Sequence, residues 1–424
     1  MKKPLLIVIG YVWPEPNSSA AGSRMLSLIR MYRQQGWQVI FASAAEKSPH
    51  RVDLSRWQVT EHSIELNDQS FDDWVAYIQP TAVLFDRFML EEQFGWRVEQ
   101  ACPQAMRILD MEDLHALRDA RQTAFKAGQG DVLTLAPHQL NTELAKREVA
   151  AIYRCDLTLV ISEAEQQLLT QHYQLPAELL CYCPFFAKAP NRSSPAFSER
   201  QHFMVIGNFR HAPNWQSVLW LRTLWPAIRA RLPGAELHIY GAYPPPKATA
   251  LHQPKAGFHI KGWAEDAALV MQQARVCLAP LAFGAGLKGK LLDAMQQGTP
   301  SVTTAIGAEG MHGDLPWPGC IANDEAALVD TAVALYQNED LWQQAQQQGF
   351  VCLEQRFDAA TEQARVWAEL EQRREQLAKF RERNFTGQML RHHAHRSTKF
   401  MGQWIEAKTR LQQLSSKKTL EPND

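Results

Sequence analysis

The sequence lacks most features that mark secreted, membrane-spanning or nucleic-acid-binding proteins. Its seven cysteines form no Cys-x-x-Cys pair, and such an odd, scattered set favours a reducing compartment over a disulfide framework. No run approaches the ~20 apolar residues that a membrane-spanning helix needs. A formal net charge of -1 argues against general nucleic-acid binding. We therefore expect a cytoplasmic protein with no specific nucleic-acid partner.

Two N-terminal signals are absent as well. Residues 1–10 are basic and then apolar, but the run is short and has no small-residue cleavage pattern, so we interpret it as a first buried strand. No Gly-x-Gly-x-x-Gly follows that strand, which disfavours an NAD-type dinucleotide site.

Near the C-terminus, His392, His393 and His395 lie close together in the sequence, but without further ligands they do not predict a metal site.

What the sequence does contain is a repeated alternation of short apolar runs and amphipathic stretches. This alternation is typical of parallel sheets with crossover helices, and 424 residues with 46% hydrophobic content are enough for two domains. The predicted strands are residues 5–9, 38–42, 82–85, 107–109, 157–161, 202–206, 236–240, 258–261, 276–281 and 301–304. The clearest predicted helices are residues 22–34, 139–153 and 214–231, the last of them kinked or split at Pro226.

The pattern divides the chain into two similar halves. We predict an α/β fold with two Rossmann-like domains that face a cleft, residues 1–186 on the acceptor side and residues 201–370 on the donor side. The polar, proline-containing residues 187–200 are interpreted as a linker, and residues 371–424 as a basic helical extension. Ligands of open parallel sheets bind at the carboxyl ends of the strands, so the loops there are the candidate site.

The most informative segment is residues 279–310, where a strand, a glycine-rich loop, two lysines and a helix follow one another. Glycines such as Gly286 let backbone N–H groups approach an anion, and the helix start adds partial positive charge. Lys288 and Lys290 add full charges, and Asp293 can accept hydrogen bonds from a ribose diol. The alternative is an ordinary glycine-rich turn with solvated lysines.

Two loops of the first half contain further candidates. In residues 11–24, Ser19 and Gly22 offer a small, polar surface to a phosphate or an acceptor hydroxyl. The alternative is an ordinary polar loop in which Ser19 or Ser23 caps a helix. In residues 110–118, His115 can orient or polarise a hydroxyl, and the neighbouring Asp113 can fix its tautomer. A purely structural histidine is the alternative.

Two loops of the second half complete the set. Gly207 and Arg210 follow its first strand, and a guanidinium there can bind phosphate oxygens in a bidentate manner. The alternative is a surface arginine before a helix that Asn214 caps. Gly262 and Trp263 can offer backbone groups and an aromatic wall to a nucleobase, unless the tryptophan is only a core or surface residue.

Together these segments resemble a GT-B fold glycosyltransferase of the retaining, bacterial cell-envelope and polysaccharide type, the glycosyl transferases group 1. The resemblance is best over residues 203–310, where GNFRHAPN, WPAIRARLPGAELHIYG, GAGLKGKLLDAM and GTPSVTTAIGAEG follow in that family's order. DMEDLHALRDAR and LTLVISEAE extend it over about residues 4–370.

The resemblance implies transfer of a sugar from a nucleotide-diphosphate sugar to a saccharide or lipid-linked acceptor hydroxyl, with retention at the anomeric carbon. Arg210 with Lys288 or Lys290 would stabilise the departing diphosphate in place of a metal. Consistently, the sequence has no Asp-x-Asp pair to hold one, and no cofactor is expected. His115 would contact the donor sugar and Asp293 the ribose.

Both positions differ from the family pattern of two glutamates separated by seven residues, and one of the two differences removes the carboxylate. Asp293 occupies the second place, but Ala285 occupies the first, which removes an expected contact to the donor sugar. This departure leaves two alternatives open. One is a GT-B epimerase or hydrolase of nucleotide sugars, and the other is an inactive nucleotide-sugar-binding scaffold.

The last segment differs in composition from the rest. Residues 371–418 contain twelve Lys or Arg against four Glu, interleaved with aromatic and aliphatic residues. This pattern fits a helix lying on an anionic membrane, which would place the protein at the inner face of the membrane. A solvated helix with a frayed end is the alternative.

Overall fold

The computed structural model describes residues 3–418, without the side chains of residues 393–397 and 413–418. Two parallel sheets with helices on both faces form two Rossmann-like domains, which confirms the predicted fold class. The strand order is β3-β2-β1-β4-β5-β6-β7 in the first sheet and β10-β9-β8-β11-β12-β13 in the second.

The first domain alternates strands and helices. Its strands are β1 Leu5–Ile9, β2 Gln38–Ser43, β3 Thr60–Ser63, β4 Ala82–Asp86, β5 Met106–Asp110, β6 Leu157–Val160 and β7 Leu180–Tyr182. Its helices are α1 Ala20–Gln34, α2 Gln69–Ile78, α3 Phe88–Ala101, α4 His115–Lys126, α5 Pro137–Leu140, α6 Glu143–Arg154 and α7 Glu163–Gln171.

The second domain repeats this alternation. Its strands are β8 Gln201–Ile206, β9 Leu237–Tyr240, β10 Phe258–Gly262, β11 Ala274–Ala279, β12 Ser301–Thr303 and β13 Gly319–Ile321. Its helices are α8 Ala212–Arg231, α9 Pro246–Thr249, α10 Ala267–Gln273, α11 Gly289–Gln296, α12 Ala305–Ala308, α13 Glu325–Gln337 and α14 Glu339–Arg356. Three more helices follow: α15 Ala359–Glu375, α16 Leu377–Arg383 and α17 Phe385–Lys418.

The central strands are continuous apolar runs because helices cover both faces of each sheet. All five residues of β1 are buried, and the strand pairs in parallel with β2 on one side and β4 on the other. The ten predicted strands all exist, with ends that differ by up to two residues. The seven cysteines are free thiols, and six of them are buried.

Two helix predictions need correction. Residues 139–153 form the end of α5 and then α6, because Thr142 caps α6 by accepting a hydrogen bond from the backbone N–H of Ala145 at 3.1 Å. The helix that contains Pro226 is not split, since α8 runs unbroken from Ala212 to Arg231. Pro226 faces solvent, where water can satisfy the carbonyl group that loses its helical partner.

The C-terminal helices return to the first domain. Helix α15 begins where Ala187 and Asp358 pair, and its Val366 and Leu370 are fully or almost fully buried in the first domain's core. Further along, Arg381 binds both carboxylate oxygens of Asp156 at 2.8 Å. Part of the basic extension is therefore internal structure rather than a solvated tail. None of the described helices combines the length and hydrophobicity needed to span a bilayer.

Candidate active site

A cleft of about 710 Å³ lies between the two domains, at the carboxyl ends of the strands of both sheets. Of the twelve residues predicted from the sequence, eleven line this cleft. They are Ser19, Gly22, Asp113, His115, Gly207, Arg210, Trp263, Gly286, Lys288, Lys290 and Asp293. Gly262, with a φ of 75°, ends β10 just behind Trp263 and is not part of the lining.

The glycine loop before α11 packs closely against the first domain. Gly286 has a φ of 63°, and a side chain there would meet the Cβ of Asp113 at 2.8 Å. A side chain at Gly289 would meet the Cβ of Ala20 at 2.6 Å. These glycines therefore allow the two domains to approach one another, in addition to any contact with a ligand.

The two lysines of this loop point into the cleft and have different partners. The Lys288 ammonium donates to the carbonyl oxygens of Ala285 at 3.0 Å and Gly286 at 2.5 Å. The Lys290 ammonium donates to the side-chain oxygen of Asn214 at 2.6 Å. Burial lowers the pKa of Lys288 and lowers the pKa of Lys290 to about 8.

Asp293 lies one turn into α11 and faces the open part of the cleft. Its side chain is exposed to the solvent in the cleft. The surrounding cleft walls nevertheless desolvate the carboxyl group partly, which raises its pKa to about 6. At neutral pH most of these carboxyl groups are ionised and can accept hydrogen bonds. The position suits recognition of a hydroxyl-bearing ligand.

Arg210 is exposed to the cleft and is oriented by an aromatic ring. Its guanidinium lies 3.8 Å from the ring centroid of Tyr243, and its backbone N–H donates to Asn208 at 2.9 Å. The loop that contains it packs tightly, since a side chain at Gly207 would meet the Asn214 amide at 2.6 Å. The alternative in which Asn214 caps the helix is wrong, because α8 already begins at Ala212 and Asn214 binds Lys290 instead.

Loops of the first domain reach across to Trp263 and Tyr243. The Trp263 indole donates to the carbonyl oxygen of Asn17 at 3.2 Å, and the Tyr243 hydroxyl donates to the Glu15 carboxylate at 2.9 Å. His50 contacts both rings, at centroid distances of 4.8 and 5.2 Å. The sequence did not predict a role for Tyr243, Glu15 or His50, because nothing in their local pattern indicates a contact between the domains.

His115 begins α4 within a network of charged groups. Its Nδ1 lies 3.0 Å from the carbonyl oxygen of Asp113 and 3.6 Å from the Glu148 carboxylate, which also binds the first N–H groups of the helix. Burial opposes a charge on the imidazole, but Glu148 and Asp113 prevail and raise its pKa. Asp113 is paired with Arg118, and this arginine together with His115 overcomes burial to lower the pKa of Asp113.

Ser19 and Gly22 have structural contacts in addition to their place in the cleft. The Ser19 hydroxyl accepts a hydrogen bond from the backbone N–H of Gly22 at 3.1 Å, so it caps α1. A side chain at Gly22 would meet the Glu15 backbone at 2.6 Å. The helix-capping alternative for Ser19 therefore describes the structure.

Two further contacts hold the domains together near the glycine loop. Arg121 forms a bidentate ion pair with Glu309 at 2.6 Å and also donates to the carbonyl oxygen of Gly284 at 2.9 Å. Ala285 is only 7% exposed and packs in the hydrophobic core of the first domain with Met111 and Leu114. In this chain a buried alanine therefore stands where the family pattern has its first glutamate.

The cleft thus brings cations and hydrogen-bonding groups from both domains to one space. Arg210, Lys288 and Lys290 supply positive charge on the side of the second domain, and His115 lies on the opposite wall. In a partly enclosed cleft such charges act more strongly on an anionic ligand than they would in water. The arrangement can bind a phosphate-bearing ligand beside a histidine.

Comparison with known proteins agrees with this geometry. Residues 200–338 match the family described as Glycosyl transferases group 1. No curated protein matches the chain in sequence.

Solved structures resemble the chain over most of its length at low sequence identity. Sucrose-phosphate synthase from Thermosynechococcus elongatus is 14% identical with a TM-score of 0.63, and the alignment covers 87% of this chain and 99% of that one. Anabaena HepE, in complex with UDP and glucose, is 12% identical with a TM-score of 0.65, over 87% and 100% of the two chains. S. aureus TarM, in complex with Fondaparinux, alpha-GlcNAc-glycerol and UDP, is 8% identical with a TM-score of 0.64, over 88% and 100%.

The likeness in structure concerns the fold, and the family match concerns the second domain, where the cationic side of the cleft lies. Taken with the geometry of the cleft, the GT-B fold and the glycosyltransferase match of the second domain support a glycosyltransferase.

Proposed function

We propose that the protein transfers a sugar from a nucleotide-diphosphate sugar to an acceptor hydroxyl, with retention at the anomeric carbon. The observation that supports this most directly is the convergence of Arg210, Lys288 and Lys290 on one cleft wall. The UDP and glucose bound by HepE, a protein of the same fold, support a nucleotide sugar as the donor. We further propose a saccharide or lipid-linked acceptor, in the synthesis of a cell-surface polysaccharide or glycolipid.

In this proposal the cations act on the leaving group. Breaking the bond between the anomeric carbon and the diphosphate leaves negative charge on the phosphate oxygens. Arg210 can bind two of these oxygens, and Lys288 and Lys290 can neutralise the remaining charge. Because the lysine ammonium groups are already held by carbonyl and amide oxygens, little reorganisation is needed when the charge develops. We expect the reaction to need no metal, since these side chains supply the positive charge.

The remaining cleft residues would hold the two substrates. Asp293 would accept hydrogen bonds from the ribose hydroxyls, and Trp263 would form a wall beside the base, with Gly262 behind it. His115 would contact the donor sugar, with its orientation fixed by Asp113 and Glu148. Ser19, Gly22 and Asp113 form the side from which the acceptor would enter. The domain ranges that we propose for these roles are 1–186 and 201–370, although α15 at the end of the second range packs in the core of the first domain.

The test is to incubate the purified protein with a panel of nucleotide sugars and an acceptor extract, and to analyse products by mass spectrometry. A glycosylated acceptor with retained anomeric configuration supports the proposal. Arg210→Ala and Lys288→Ala should each lower kcat/KM at least ~100-fold, the scale of losing one group that stabilises transition-state charge. Arg222→Ala, at an exposed position of α8 outside the cleft, is the control. Near wild-type rates in both cleft variants would contradict the phosphate assignment.

A second candidate follows from Ala285. An apolar residue in the first-domain core replaces the glutamate that the family pattern has there, so the chain offers no carboxylate at that point. A nucleotide-sugar epimerase or hydrolase, or a binding scaffold without turnover, would be compatible with this loss. The same product analysis separates them, because an epimer or free sugar identifies the first class and tight binding without product the second.

We also propose peripheral contact of the C-terminal extension with an anionic membrane, at its inner face. On α17, Phe400 and Trp404 are 62% and 60% exposed, and the Lys408 ammonium lies 5.1 Å from the Trp404 ring centroid. An exposed apolar stripe flanked by basic residues is typical of helices that bind at a bilayer surface.

Flotation with phosphatidylglycerol-containing vesicles at low salt tests this contact. The double variant Phe400→Ser and Trp404→Ser should lose most of the binding. Tyr77→Ser, which removes an aromatic side chain that is 86% exposed on α2, should not. Absence of vesicle binding by the unmodified protein would contradict the membrane proposal and leave the transfer reaction unaffected.

A further inference from the structure

A cluster of three histidines and one glutamate lies at the beginning of three neighbouring strands of the second sheet. His202 is in β8, His238 in β9 and His259 in β10, while Glu236 immediately precedes β9. The register places His238 directly beside His259. This edge of the sheet is opposite to the cleft, since the cleft residues follow the carboxyl ends of the same strands. His202 is separated from the carboxyl end of β8 at Ile206 by roughly 13 Å, since a strand rises ~3.3 Å per residue and four residues lie along this path.

One carboxylate oxygen of Glu236 is the centre of the cluster. It lies 2.8 Å from His238 Nε2, 3.5 Å from His259 Nε2 and 4.0 Å from His202 Nδ1. The ligand atoms of His202, Glu236 and His238 all lie within 4.8 Å of one another. In a tetrahedral zinc site neighbouring ligand atoms are about 3.3 Å apart, which follows from bond lengths of ~2.0 Å. Small side-chain rotations would therefore close these residues around one ion.

Two of these nitrogens lack a hydrogen bond within the part of the chain that the structure describes. His202 Nδ1 and His259 Nε2 are buried and have no hydrogen-bond partner among the described residues. Buried polar atoms are normally paired, so an unpaired nitrogen that faces a carboxylate indicates a missing partner. The imidazole rings of His202 and His238 are 4.6 Å apart, close enough to share one ion.

The chemistry of these side chains also suits metal ligands. Neutral imidazole and a carboxylate are the forms that bind a metal. Two positively charged side chains near the cluster, Lys261 and Arg275, repel a bound cation. The negative charge of Glu236 attracts it and opposes that repulsion.

From this geometry we propose that His202, Glu236 and His238, with His259 beside them, bind one divalent transition-metal ion of the zinc class. Imidazole-rich sites suit zinc, nickel and copper, whereas magnesium and calcium prefer oxygen ligands. Because the site is on the far edge of the sheet from the cleft, it would join the beginnings of β8, β9 and β10 and would not take part in sugar transfer.

Calorimetric titration of the full-length, EDTA-treated protein with zinc chloride tests the proposal. We expect one zinc ion per chain at this site and a zinc-dependent rise in the melting temperature. His202→Gln and His238→Gln should each weaken zinc binding by at least ~10-fold, because losing a direct ligand costs no less than losing an outer contact, for which the effect is 10- to 100-fold. His202 is more exposed than His238, so its replacement should disturb the fold less. The His202 variant therefore remains available if the His238 variant unfolds.

The matched control is the double variant His392→Gln and His393→Gln, which removes neighbouring imidazoles from the C-terminal extension. Zinc affinity should be the same as in the unmodified protein. Loss of zinc binding in this control with retention in the strand variants would overturn the proposal, as would absence of zinc binding in the unmodified protein. Cobalt should give the intense visible absorption of a tetrahedral site, and the weak absorption of an octahedral ion would likewise contradict the assignment.

Discussion

The Glu165 carboxylate of the first domain accepts a hydrogen bond from the backbone N–H of Gly286 in the second domain, at 2.8 Å. The same oxygen accepts one from the backbone N–H of Leu114 at 2.9 Å. Glu165 is completely buried, and it thereby joins α7 and the start of α4 to the glycine loop of the cleft. Burial, and secondarily the negative charge of Asp113, raise the pKa of Glu165 to about 8.

This shift predicts a pH-dependent stability. Between roughly pH 5 and 8 the folded protein keeps a proton on Glu165 that the unfolded chain has lost. The free energy of unfolding should therefore fall as pH rises through that window, by up to ~1.4 kcal/mol per pH unit for this group. Urea unfolding at pH 6, 7 and 8 should show a steeper decline for the unmodified protein than for Glu165→Gln. If the free energy of unfolding depends on pH identically in the two proteins, the raised pKa of Glu165 is contradicted.

Lys290 predicts a second pH effect, on ligand binding. Its pKa of about 8 means that the charge is lost as pH rises above neutrality, and with it an attraction to the diphosphate. Affinity for a nucleoside diphosphate should fall by about tenfold, ~1.4 kcal/mol, when the charge is removed, a cost typical of a hydrogen bond to a charged group. Lys290→Arg should keep its affinity to pH 9, measured by calorimetry. A parallel decline in that variant would assign the effect to another group.

Replacing Ala285 with the family's glutamate should damage the protein rather than improve it. The methyl group packs in an apolar cluster at the wall of the cleft, so Ala285→Glu forces a larger, charged side chain into a tightly packed position and should cost about 3 kcal/mol of stability. Ala326→Glu, at an exposed position of α13, should change stability by less than ~0.5 kcal/mol. Chemical denaturation measures both. A stable Ala285→Glu protein would show that this loop can leave the first-domain core.

The ion pair between Arg381 and Asp156 should contribute to the stability of the first domain. Asp156 is buried, and Arg381→Ala removes two of its hydrogen bonds while Arg107 remains beside it. We expect a loss of about 2 kcal/mol, below the 3–5 kcal/mol of a fully orphaned buried charge. Arg383→Ala, exposed and two residues further along, should be nearly neutral. Equal melting temperatures for the two variants would contradict the structural role of the extension.

Local sequence patterns predicted the strands and most of the cleft lining, because apolar runs and the loops that follow them are local properties. The pattern did not reveal β3, whose sequence is polar, or the short strands β7 and β13. Contacts such as Tyr243 with Glu15 depend on how the domains close, which residues distant in sequence determine together. The same holds for Arg391, which is buried although the composition of residues 371–418 fitted a helix on a membrane surface or a solvated helix.

Helix α15 has a consequence for the order of folding. Domains usually fold in turn as the chain leaves the ribosome, beginning with the most N-terminal. Here Val366 and Leu370 fill part of the N-terminal core, so a nascent first domain exposes that apolar surface until the second domain has also been synthesised. The apolar core of the first domain is therefore closed by α15 only after the second domain has been synthesised.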